Sequence, residues 1–129
     1  MLAHDSGYQR AALKVALSSS GWFEVVSEVS SGDELVPELR TFQPDIAVVR
    51  LLLPKRNGLA VLPDLLDASP STLVVLLSVT PSAELEGIAV ARGADLCLEE
   101  GLPPDRIVGQ LLRMMSRTEW LRSSDSKAR

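Results

Sequence analysis

The chain of 129 residues reads as one α/β domain, a five-stranded parallel sheet covered by helices on both faces. Three observations predict it. Strand and helix signals alternate five times along the sequence. Two of the strand segments, Ile46-Ala47-Val48-Val49 and Leu73-Val74-Val75-Leu76-Leu77, are unbroken apolar runs, the pattern of strands buried on both faces. Hydrophobic residues make up 46% with few aromatics, so the core must be built from Leu, Val, Ile and Ala.

Leu2-Ala3-His4 can supply only a very short first strand. Ser6 suits a helix cap ahead of Tyr8, Ala12, Leu13 and Leu17 at helical spacing, and Ser18-Ser19-Ser20-Gly21 stops that helix. Phe23 to Val29 is β-rich, with Val25-Val26 breaking strict alternation. Ser31-Gly32-Asp33 opens a second helix with Leu35, Leu39 and Phe42 on one face; Pro37 lies early in it, where a missing amide hydrogen is tolerated. The apolar run to Val49 is the third strand. After Gly58, Leu59, Leu62, Leu65 and Leu66 fall at helical spacing, and Pro63 predicts a late start or a bend. Leu73–Leu77 is the fourth strand. Pro81 to Arg92 is helical, ended by Gly93, and Leu96-Cys97-Leu98 is a short fifth strand. Pro103-Pro104 opens a last helix carrying Ile107, Val108, Leu111, Leu112 and Met115. The expected order is 2-1-3-4-5, the flavodoxin-like doubly wound arrangement, with its site at the carboxyl ends of strands 1 and 3. The domain spans 1–121, and residues 122–129 read by composition as a flexible tail or the start of a linker.

Composition narrows the function. No apolar run approaches the roughly 18 residues of a membrane span, and no basic-then-apolar leader is visible, so a cytoplasmic location is expected. Cys97 is the one cysteine, which excludes an internal disulfide and a CxxC metal site. Residues 106–129 hold six basic and two acidic side chains, a net +4, so a total of −4 leaves −8 on the first 105. An acidic body argues against direct contact with nucleic acid, and DNA is expected only through a separate domain. The basic end reads as a solvated helix face and linker.

The run Pro44-Asp45-Ile46-Ala47-Val48-Val49-Arg50-Leu51-Leu52-Leu53-Pro54-Lys55-Arg56-Asn57-Gly58, with Phe23-Glu24-Val25-Val26, Gly32-Asp33-Glu34 and Gly93-Ala94-Asp95, resembles response-regulator receiver domains, especially those preceding LuxR-type DNA-binding domains. The resemblance covers Leu2 to about Met115. In that family the third strand ends in a phosphorylatable aspartate, with a proline four residues on and a glycine four further. Pro54 and Gly58 keep the spacing, so the acceptor position reads Arg50, which stays protonated and cannot take a phosphoryl group.

The resemblance implies four further positions. The acidic pair that holds Mg²⁺ with the acceptor reads His4-Asp5. The hydroxyl after strand 4 reads Ser78, followed by Val79 where the family usually has a small residue. The lysine after strand 5 reads Glu100. The aromatic switch position reads Cys97, which leaves no ring to swing. The expected reading is a degenerate phosphorylation pocket of His4, Asp5, Arg50, Ser78 and Glu100, with Arg50 paired to Asp5, Glu100 or both.

No catalysis, cofactor or metal is expected. His4, Asp5 and Glu100 have metal-ligand chemistry, but Arg50 would repel a cation; Ser78 and His4 lack an orienting third group and a glycine-flanked nucleophile turn. The implied function is signal transduction, and transcription regulation, through protein contacts without aspartyl phosphorylation. The partner is a second copy, as a homodimer, or another signalling protein. The contact face is expected on helix 4, strand 5 and helix 5, or on helix 5 with helix 1, and includes Ile107, Leu111, Met115 and Trp120. The alternative is a small-molecule sensor whose altered cleft receives a carboxylate or phosphate at Arg50 and Ser78.

Overall fold

The computed structural model describes residues 1–80 and 82–128, and the side chains of residues 1–80 and 82–117. Its elements are β1 (Leu2–Ala3), α1 (Gly7–Ser19), β2 (Glu28–Val29), α2 (Gly32–Phe42), β3 (Ile46–Arg50), α3 (Gly58–Ala68), β4 (Leu73–Ser78), α4 (Ala83–Ala91), β5 (Leu96–Glu99) and α5 (Pro104–Ala128). The strands form one parallel sheet in the order β2-β1-β3-β4-β5, as expected.

Strand side chains alternate between faces, and the two apolar runs therefore feed two cores. Ala47, Val49, Val74 and Leu76 pack with Leu35 and Leu39 of α2, Val61, Leu62 and Leu65 of α3, and Ala89 of α4. Ile46, Val48, Val75 and Leu77 pack on the opposite face with Leu13 and Leu17 of α1 and Ile107, Val108 and Leu111 of α5. Sheet and helices thus form three layers with β3 and β4 at the centre.

Several boundaries differ from the sequence reading. Of Phe23–Val29, only Glu28–Val29 forms a strand, because β1 offers just two residues and a ladder is no longer than its shorter partner. Tyr8 and Phe42 are 85% and 47% exposed and belong to no core. Pro37 falls in the second turn of α2, beyond the amides that are free in any helix, yet the helix continues to Phe42 because Leu35 and Leu39 anchor it fully buried. Despite Pro63, α3 starts at Gly58, where the Asn57 side chain accepts from Ala60 N at 2.7 Å. In the same way Ser82 caps α4, which begins at Ala83; Pro81 lies outside the described residues. Gly93 follows α4 with φ +108°, a conformation that suits glycine. The expected boundary at residue 121 falls inside α5, whose backbone is helical to Ala128.

One close approach sets the loop after β3. Gly32 N donates to Pro54 O at 3.0 Å, and a Cβ at Gly32 would lie 1.9 Å from Arg56 O. Only glycine lets the start of α2 sit against this loop, which holds the chain beyond Arg50 in place.

Candidate functional site

Parity along the strands gathers the site. His4 has the parity of Leu2, Arg50 that of Ile46 and Val48, and Glu100 that of Leu96 and Leu98, all of which line the α1–α5 core. Each stands at or just past the carboxyl end of its strand, so β1, β3 and β5 deliver three polar side chains to one place. Asp5 follows β1 directly. Ser78, at the end of β4, has the opposite parity, shared with Val74 and Leu76; it is buried, and its backbone carbonyl accepts from Glu100 N at 2.8 Å.

Arg50 is the hub. Its Nη1 donates to Asp5 Oδ1 at 2.8 Å, and its Nε stands 2.8 Å from Glu100 Oε1. The second contact is ionic without the alignment of a hydrogen bond. His4, 2% exposed, bonds through Nε2 to the same Glu100 Oε1 at 2.8 Å, while its Nδ1 accepts from Ser6 N at 3.0 Å. An accepting Nδ1 must carry a lone pair, so the proton sits on Nε2 and points at the carboxylate. Arg50 was expected to pair with Asp5, Glu100 or both, and it meets both.

The hydrogen bond from Arg50 holds the Asp5 carboxyl below its ordinary 3.8, and Asp5 in turn holds the guanidinium proton more tightly. A depressed carboxyl contributes stability above its unfolded value and loses it as the pH falls through the folded one. Asp5→Asn should therefore melt below wild type at pH 6, and the difference should close as the pH drops below 3.8. Parallel thermal melts of both proteins across that range check this; a difference that persists in acid would mean that Asp5 acts through something other than its charge.

A Mg²⁺ ion, which a receiver pocket implies, does not fit these residues. Hard cations want several oxygen ligands. Here Asp5 is bonded to the guanidinium, Arg50 brings a fixed positive charge between the carboxylates, and both His4 nitrogens are engaged. The same commitment removes His4 as a base for Ser78.

Other expected positions separate. Cys97 is half-buried on β5 against the α2–α4 core, and burial, then the charge of Glu86, pushes its thiol up. Val79 is 54% exposed. Ile107 and Leu111, expected on a partner face, are 2% and 1% exposed: the α5 stripe is consumed by the domain's own sheet and α1. Met115 is partly buried on that core, and the side chain of Trp120 lies outside the described residues.

Sequence reasoning missed Arg10. Its Nη1 donates to the His4 carbonyl at 2.6 Å and its Nε to Glu28 at 3.2 Å, tying the end of β1 to β2. It also missed the second role of Ser6, whose side chain caps α1 while its amide orients His4. Side-chain to backbone contacts of this kind leave no periodic trace.

Residues 1–112 match the response regulator receiver domain family. The chemotaxis protein CheY of Thermotoga maritima is 23% identical over 111 residues, which are 86% of this chain and 92% of CheY. The nitrate/nitrite response regulator protein NarL of Escherichia coli K12 is 30% identical over 86% of this chain and 51% of its own length, so the chain spans about half of that relative. Among solved structures, the signal receiver domain of NarL from Mycobacterium tuberculosis superimposes with a TM-score of 0.80 at 25% identity, covering 87% of this chain and 90% of that one.

Proposed function

This chain belongs to the response regulator receiver domain family, and from that premise we propose that it signals through protein contacts without phosphorylation at the acceptor position. The observation that carries the reading is Arg50 at the end of β3, bonded to Asp5 and 2.8 Å from Glu100. The nucleophile is replaced by a cation, and that cation is neutralised by the chain's own carboxylates. Glu100 stands where the family's lysine would meet the phosphoryl oxygens, and a carboxylate there opposes an incoming phosphoryl group. The pocket is degenerate in every charged role except Asp5. A role in transcription regulation, with DNA contacted by a separate domain, is part of the same proposal and rests on the resemblance of the sequence to receivers that precede LuxR-type DNA-binding domains.

The alternative, a ligand carboxylate or phosphate held by Arg50 in the altered cleft, is less well supported. The guanidinium is engaged by acidic partners on two sides, so an anionic ligand would have to displace Asp5 or Glu100.

For the contact surface, burial favours α4. Of its nine residues only Ala89 is buried, and Ile88 keeps an apolar side chain 40% exposed on the outer face. A homodimer using this face needs no activation. Sedimentation velocity should show the same association with and without beryllofluoride and Mg²⁺, and Ile88→Glu should weaken it at least tenfold. Dimerisation that appears only with the phosphoryl mimic would contradict the proposal.

A further inference from the structure

A groove of about 390 Å³ lies at the end of the sheet remote from Arg50. It is framed by the amino ends of β1 and β3, the last turn of α1, the segments 22–26 and 42–45, and Leu111 and Met115 of α5. The chain has five aromatic residues, two Trp, two Phe and one Tyr, and three of them, Trp22, Phe23 and Phe42, line this one groove. Trp22 and Phe42 are 72% and 47% exposed, so their rings still have most of their burial to gain. Small-ligand sites are concave, roughly 300–1,000 Å³, and mostly apolar with a few polar groups, and this groove has that volume and that composition.

We propose that this groove binds a small organic cation, its apolar body against Trp22, Phe23 and Phe42 and its ammonium group beside the carboxylates of Asp45 and Glu24. The sign of the ligand follows from the walls. Glu24 and Asp45 are the only charged side chains among the described residues that line the groove, and both are exposed, so solvent and ligand have access to them. Neither is taken up by a salt bridge among the described residues. The Met1 amino group also lies here, but it donates to Ile46 O at 2.9 Å, and burial, opposed by the charge of Asp45, pushes it down to about 6. At neutral pH and above it is therefore mostly uncharged. The same coupling puts the Asp45 carboxylate within electrostatic reach of the Met1 wall. Gln43 directs its side-chain amide to the carbonyls of Leu39 and Ala68 at 3.1 and 2.8 Å, so an anion finds no donor there. A neutral ligand of the same shape would gain the apolar contacts and lack the charge-assisted bond. Aromatic rings favour a cation as well, through the negative charge of their faces. None of the residues of the degenerate pocket enters this inference, which does not depend on whether the domain can be phosphorylated.

The test is a titration of the ¹⁵N-labelled protein at about pH 7.5, where the Met1 amine is uncharged, with 2-phenylethylamine, 2-phenylethanol and 3-phenylpropionate. The amine should give saturable shifts at the amides of Val25, Gln43 and Asp45 and at the Trp22 indole. It should bind about tenfold more tightly than the alcohol, and the propionate should give no shifts there. Asp45→Asn should weaken the amine about fivefold and leave the alcohol unchanged, whereas Trp22→Ala should weaken both. Both side chains are exposed, so the spectra of the two variants should stay folded. Asp33→Asn, which removes an exposed carboxylate on α2 outside the groove, should change nothing. The absence of saturable shifts with the amine, equal binding of amine and alcohol, an equal loss in Asp33→Asn, or full affinity in Trp22→Ala would overturn the proposal.

Discussion

Arg50→Ala is expected to lower the unfolding free energy by about 2–3 kcal/mol, whereas Arg113→Ala, an exposed position on α5, should change it by under about 0.5. The contrast comes from what each removal leaves behind. Without Arg50, Glu100 keeps a side chain 8% exposed and loses its cationic partner, and Asp5 loses the donor that lowers its pKa. Breaking a fully buried pair costs about 3–5 kcal/mol. Arg50 is itself 22% exposed, so solvent screens part of that. For a domain of this size the expected drop in melting temperature is on the order of 10 °C. Adding Glu100→Gln to Arg50→Ala should recover part of the loss, because it removes the stranded charge. Equal melting temperatures for Arg50→Ala and Arg113→Ala would mean that the pair contributes nothing to stability.

Arg50→Asp should restore the acceptor carboxylate and still give no phosphorylation by acetyl phosphate. Two obstacles remain. By the resemblance to receivers, Glu100 is assigned to the position from which a lysine would neutralise the phosphoryl oxygens, and a carboxylate there would repel them. His4 cannot take over as an oxygen ligand for Mg²⁺, and both its nitrogens are committed to Ser6 and Glu100. Loss of the Arg50 contacts also places the new carboxylate among Asp5 and Glu100, so the variant should be less stable than wild type. Combining His4→Asp, Arg50→Asp and Glu100→Lys removes all of these obstacles, and acid-labile phosphate should appear in that variant first. Phosphorylation of Arg50→Asp alone would show that residue 50 was the sole defect.

The central layers of this fold were legible because β3 and β4 are apolar on both faces, a pattern that few other architectures produce. The ion pair was legible as well, since the receiver spacing put reciprocal charge changes at two positions that a 2-1-3-4-5 sheet brings together. The edges were not. Phe23–Val29 has the composition of a strand, but the length of β1, set by a polar His4-Asp5-Ser6 turn, decides how much of it can pair. The function of the α5 stripe was also hidden: Ile107 and Leu111 look alike whether they meet a partner or their own sheet, and only the packing of α1 against α5 resolves it.

The most direct test of the account is the intact mass of the wild-type protein after incubation with acetyl phosphate and Mg²⁺. The account predicts an unchanged mass, with no acid-labile phosphate adduct, under conditions that phosphorylate the His4→Asp, Arg50→Asp, Glu100→Lys variant. A stoichiometric adduct on the wild-type chain, mapped to Asp5 or Ser78, would contradict it.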